Sequence, residues 1–189
     1  DYVELNIPVY VAPDDGNGQF TTNNFDKTLE EFLKIKDDAK CIFEIGVARN
    51  FERSSTVLWL SNKKDETHYF GIDIDMENKK HHEDYKPNTH MLRMNSDTDR
   101  QLIYMNMLKY GCDRIDVLFI DGDHSINLVL NDWKYAELVK PGGLILMHDT
   151  TIHPGPHLIY DAIDEKLFDK SIHFNNGGDD WGLAVIWKK

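Results

Sequence analysis

At 189 residues, with 41% hydrophobic and 11% aromatic residues, the chain has the length and composition of one globular domain with a sizeable core. Its formal charge of −12 argues against a broad basic footprint for DNA, RNA or anionic membrane, but leaves room for a nucleotide-containing cofactor. No apolar run is long enough to span a bilayer, so a cytoplasmic protein is the expectation.

In chain order, the first 25 residues are rich in Asp, Asn, Gly and Pro and read as an irregular arm, with one short extended piece at Ile7–Val11. Phe25–Lys36 has helical spacing, with Asn24 as its N-cap. A regular alternation then begins: a strand at Cys41–Val47, a helix at Ser54–Ser61, strands at Tyr69–Asp75 and His90–Asn95, and a helix at Asp99–Tyr110. A strand at Ile115–Ile120, a helix at Ile126–Val139 and a strand at Leu144–His148 continue it. After Pro154-Gly155-Pro156 come a helix at Leu158–Phe168 and two closing strands, Ser171–Asn175 and Gly182–Trp187. The link between the last two is too short for a crossover, so that pair must be antiparallel. The whole predicts a doubly wound, mostly parallel seven-stranded α/β sheet over residues 41–189, with a C-terminal antiparallel hairpin, in a single domain 1–189.

Two strand ends carry most of the chemistry, Phe119-Ile120-Asp121-Gly122-Asp123-His124 and Leu146-Met147-His148-Asp149-Thr150. A helical crossover between them makes the strands parallel neighbours, so Asp121, His124, His148 and Asp149 share the carboxyl edge of the sheet. Open α/β sheets bind ligands at that edge. Oxygen and imidazole groups gathered there can hold a divalent metal or move a proton. His124 has a plainer reading as a helix-start residue bonded to Asp121 or Asp123.

Earlier in the chain, Glu44-Ile45-Gly46 ends the first strand, and its single glycine is not the GxGxxG of a dinucleotide site. Gly46 lets backbone approach a ligand, or simply makes a turn. Glu44 in an apolar strand is costly unless something pairs with it. Asp73 or Asp75, ending the second strand, falls where nucleotide-binding folds read ribose hydroxyls. Ser96 and Asp97 either cap the next helix or contact an adenine edge. His153 and His157 read as acceptor-pocket or solvated loop residues, Trp181 and Trp187 as anchors, and the Asp179-Asp180 pair as exposed turn. His81-His82-Glu83-Asp84 reads as solvated loop, and Cys41 and Cys112 as small core residues without a disulfide or zinc pattern.

Taken in order, EIGV, GIDID, the Ser-Asp turn, DVLFIDGDH and KPGGLILMHDT resemble class I S-adenosylmethionine-dependent methyltransferases over about Cys41–Thr150. The nearest likeness is to the branch of metal-dependent O-methyltransferases of small molecules and sugars, with cephalosporin-hydroxylase-like proteins. The resemblance implies that Glu44 and Gly46 border the methionine part of S-adenosylmethionine, Asp73 its ribose, and Ser96 and Asp97 its adenine. It assigns Asp121, with Asp149 and the substituted position His148, to a divalent metal (Mg2+ or Mn2+), places Asp121 against the cofactor as well, and makes His124 the catalytic base. The implied partner is a small-molecule acceptor, with no nucleic acid and no membrane, and with self-association into a homo-oligomer left open. His148 stands where several relatives carry Glu, and imidazole suits Zn, Fe or Ni better than Mg. A metal-independent methyltransferase acting on another acceptor and a nucleotide-binding oxidoreductase are the alternatives.

Overall fold

A computed structural model describes residues 20–47, 54–76, 86–175 and 180–189. The expected strand at Ile7–Val11 and the polar cluster at residues 81–84 lie outside them. Helix α1 spans Thr22–Leu33, followed by β1 (Cys41–Ile45), α2 (Ser55–Asn62), β2 (His68–Asp73) and β3 (Thr89–Arg93). Then come α3 (Arg100–Lys109), β4 (Ile115–Ile120), α4 (Ile126–Trp133), β5 (Val139–His148), α5 (Pro154–Ala162), β6 (Phe168–His173) and β7 (Leu183–Lys188).

The seven strands form one sheet in the order β3-β2-β1-β4-β5-β7-β6. Strands β3 to β5 are parallel, and β7 pairs antiparallel with both β5 and β6. The expected doubly wound sheet and closing hairpin are both present. Central strands β1 and β4 are buried along their whole length, as a sheet covered on both faces requires. One face packs Phe43, Phe70, Ile115, Leu118 and Ile120 against the sheet-facing residues of α3, α4 and α5. The other packs Ile42, Tyr69 and Phe119 against Phe32 of α1 and Trp59 of α2.

Several element ends differ from the expectation. The N-cap of α1 is Thr21, whose hydroxyl accepts from the Asn24 backbone N–H at 3.3 Å, so the Asn24 side chain is freed for another role. Helix α4 stops at Trp133 and tightens into a 3-10 turn, Lys134–Glu137, because Val139 already pairs with Ile115 at the start of β5. Pro141-Gly142-Gly143 therefore lies inside β5, where the register shifts, instead of preceding the strand. Helix α5 starts four residues early, with Pro154 in its first turn, and Phe168 opens β6 rather than closing a helix.

Candidate active site at the carboxyl edge

Crossing from β1 through β2 and β3, the chain repeatedly ends a buried strand and turns over the same edge. Gly46, Asp73, Ser96, Gly122, Asp123 and Asp132 line a cleft there that encloses about 520 Å³, its open mouth included. Gly46 has a φ of +86°, and a Cβ at that position would stand 2.0 Å from the Asp121 carbonyl oxygen. Only glycine lets β1 and β4 approach this closely at the floor of the cleft. Both Asp73 oxygens accept backbone N–H groups, from Val47 at 2.9 Å and Asp75 at 2.8 Å, which fixes the carboxylate at the rim.

Beside this cleft, the ends of β4 and β5 bring together the four residues expected there. His124 Nε2 lies 2.6 Å from Asp149 Oδ2, and His148 Nδ1 lies 3.0 Å from Asp149 Oδ1 and 3.3 Å from Asp121 Oδ1. The partner of His124 is thus Asp149, across the strand gap, and not Asp121 or Asp123. Asp149 sits at φ +62°, a left-handed position that Asp tolerates better than most residues and that turns its carboxylate between the two imidazoles. The hydrogen bond that His124 donates to Asp149 raises the histidine pKa above 6.5 against the effect of burial. Burial would lower the pKa of His148, but Asp149 and Asp121 outweigh it and hold the ring well above the usual range. Burial likewise works to raise Asp149, yet the two histidines keep it well below the usual carboxylate range. For Asp121, burial prevails and the pKa rises despite His148. His153 stacks on His124 with ring centroids 3.7 Å apart, at the loop where a pocket role was one of two readings.

A family model described as a methyltransferase domain matches residues 43–150, more than half of the chain and every strand that borders the cleft. The chain belongs to the methyltransferase-domain family. An rRNA methylase from Streptococcus thermophilus superposes with a TM-score of 0.63 at 12% identity, covering 90% of this chain and 98% of that one. An O-methyltransferase from Bacillus cereus in complex with SAH gives 0.55 at 15% identity, covering 91% of this chain and 83% of its own. At these identities the likeness speaks for the fold. No curated protein matches the sequence. The class I methyltransferase expected from the motifs therefore stands, and the oxidoreductase alternative falls away.

Within this methyltransferase, some expected site residues sit apart from the cleft. Glu44 is fully buried beneath it, accepting hydroxyl hydrogen bonds from Ser55 at 2.5 Å, Thr56 at 2.7 Å and Tyr69. The pairing that this strand acid needs is supplied from inside the sheet and α2. Asp97 is exposed and does not line the cleft, and neither it nor Ser96 caps α3; Asp99 holds that place, while Asn95 Oδ1 accepts from the Asp97 and Thr98 N–H groups. Ser96 instead donates to Asp132 at 2.5 Å. Asp132, on α4 and 3% exposed, is a cleft residue that the sequence reading missed; burial raises its pKa to about 6. Its signal was an acid within an otherwise apolar helix face. Asp180 is also buried rather than exposed turn, because its carboxylate accepts from Asn23 at 2.6 Å and from the Asn175 and Gly182 N–H groups.

Burial raises the pKa of Glu44 to about 7, with the three hydroxyls acting against that rise. The folded state then keeps a proton that the unfolded chain releases near pH 4.5, so the contribution of this group to stability falls as pH rises from about 4.5 to 7. The loss is on the order of 3 kcal/mol. Urea unfolding at pH 5 and pH 8 should show that Glu44→Gln loses less stability than the parent over this interval. Equal losses would show that the buried carboxyl does not titrate there.

Proposed function

We infer that this methyltransferase uses S-adenosylmethionine to methylate a hydroxyl group on a small neutral molecule, a sugar among the candidates, with a divalent cation assisting. The observation that carries the reading is the His124–Asp149 pair, one residue beyond Asp123 of the cleft wall. The cleft suits the cofactor: a glycine floor where no Cβ fits, a fixed acid at the rim, and Asp132 with Ser96 at the far wall. When bound, S-adenosylmethionine supplies a methyl group on its sulfonium sulfur, whose carbon is open to in-line attack with the neutral thioether leaving.

The chain then has to place an acceptor hydroxyl against that carbon and take its proton. His124 is built for the proton, because Asp149 orients its ring and stabilises the imidazolium that forms. Asp121, His148 and Asp149 offer ligand atoms within 4.8 Å of one another, and Asp149 Oδ1 is buried and makes no hydrogen bond beyond its ion-pair contact with His148 Nδ1 at 3.0 Å. These residues would hold a divalent cation, which would lower the pKa of the acceptor hydroxyl. Two carboxylates and one imidazole suit Mn2+, and less so Mg2+, which favours all-oxygen sites. The carboxylates at the site and the charge of −12 favour a neutral acceptor over a polyanion such as RNA.

Calorimetric titration with S-adenosylhomocysteine and with NAD, each with and without Mn2+ or Mg2+, tests the reading. S-adenosylhomocysteine should bind and NAD should not, and Mn2+ should give a heat of its own. Failure of S-adenosylhomocysteine to bind would sink the function; absence of any Mn2+ heat would remove the metal and leave His124 as the sole activator.

A further inference from the structure

Helix α1 crosses the sheet and delivers one polar side chain into the reacting centre. Asn24 is fully buried, and its amide nitrogen lies 3.1 Å from His148 Nε2. The other ring nitrogen, Nδ1, faces Asp149 and Asp121. Phe20 packs edge-on against the same imidazole, with centroids 5.5 Å apart at 66°. The ring is therefore held on three sides, and one holder, 124 residues away in sequence, is an amide whose own place is set by neighbours. Asn23, the adjacent residue, donates to Asp180 at 2.6 Å and meets His173 Nε2 at 2.9 Å, so this end of α1 is tied to the end of β6 and to the segment just before β7.

We propose that Asn24 is the positioning residue of His148, occupying Nε2 so that Nδ1 is the nitrogen offered to the two carboxylates and to a cation between them. An amide is suited to this work because it carries a donor and an acceptor on one short, flat group. When the ring is neutral, Nδ2 donates to a bare Nε2, and the ring proton resides on Nδ1. After a half turn, Oδ1 accepts from a protonated Nε2, and Nδ1 is free to use its lone pair as a ligand. Asn24 Oδ1 is buried and has no hydrogen-bond partner, so the acceptor that the second state needs is already in place. Neither leucine, which has the same shape and no polar atoms, nor aspartate, which accepts only, could serve both states. Residues that hold the far nitrogen of a metal-ligating histidine commonly set its affinity. The relevance of Asn24 to the reaction rests on the proposed metal reading, whereas its hold on the ring does not.

Long-range proton–nitrogen NMR of the His148 ring, recorded on the metal-free protein, reads the hold directly. The parent should show one fixed pattern of ring-nitrogen shifts, with the ring-bound proton protected from exchange. Asn24→Leu should lose that protection and give averaged shifts. Asn24→Asp should keep the ring ordered, with Nε2 protonated. By calorimetry, Mn2+ should bind Asn24→Leu about 10- to 100-fold more weakly than the parent, with S-adenosylhomocysteine affinity unchanged. A parent spectrum that is already averaged overturns the proposal without any variant, as does an Asn24→Leu spectrum identical to the parent. If the parent binds no Mn2+, the metal reading fails by itself, and the ring spectra alone decide the role of Asn24.

Discussion

Asp149→Asn is expected to slow methyl transfer by about 10²- to 10⁴-fold, the range associated with loss of a positioned acid–base group. One carboxylate serves both imidazoles: Oδ2 meets His124 at 2.6 Å and Oδ1 faces His148 at 3.0 Å. Asparagine keeps the shape and tolerates the left-handed backbone at φ +62°, so the fold is preserved while the charge is lost. Two readouts follow that need no knowledge of the acceptor. The pKa of His124, raised above 6.5 in the parent by its bond to Asp149, should fall in the variant when the ring proton is followed by NMR. The Mn2+ heat should vanish. In the parent, the stabilising pair is fully present below pH 6.5 and is lost as pH rises through the raised pKa, whereas catalysis by neutral His124 grows over that same rise. An unchanged His124 titration in Asp149→Asn would mean that the pair does not govern the base.

Gly46→Ala should be the most damaging substitution for the fold. The added Cβ would stand 2.0 Å from Asp121 O and 2.9 Å from Gly122 Cα, both main-chain atoms, and the residue would keep its φ of +86°. Relief requires parting β1 from β4, where Asp121 N donates to Ile45 O at 2.8 Å, and straining the bond to β2 that Gly46 N donates to Ile72 O at 2.9 Å. A loss of more than about 3 kcal/mol is expected, from backbone strain and overpacking together. In thermal unfolding this amounts to a fall of about 10 °C in Tm. S-adenosylhomocysteine should no longer raise the Tm of the variant. A variant with the stability and ligand response of the parent would show that the cleft floor is not closed at Gly46.

The sheet was legible because its strands are short apolar runs cut by turn residues, and β4 was placed to the residue. Helix ends were less so. Nothing local in Ile126–Val139 says that the helix must stop at Trp133; the pairing of Val139 with Ile115, on a distant strand, decides it. In the site, Asp121, His124, His148 and Asp149 could be gathered from two strand ends because a parallel crossover fixes which edge they share. The contributions of Asn24 and Asp132 were hidden for the opposite reason. Each arrives from a helix whose rotation over the sheet depends on packing, and Asn24 looked like a cap because Asn is common there. Glu44 drew attention as a strand acid, but its three hydroxyl donors come from α2 and β2, which a local reading cannot orient.

Helix α5 begins against the loop that carries His124, with no clearance at all. A Cβ on Gly155 would lie 2.2 Å from the His124 carbonyl oxygen, and the same stretch of chain holds His153 flat on the imidazole. His153 N donates to the Asp149 carbonyl at 3.1 Å, so the helix, the His124 loop and the Asp149 backbone are joined at three points. Mechanically they form one block. Whatever adjustment an incoming molecule demands, the block can tilt or shift only as a whole, and the 2.6 Å spacing between His124 and Asp149 would survive the movement.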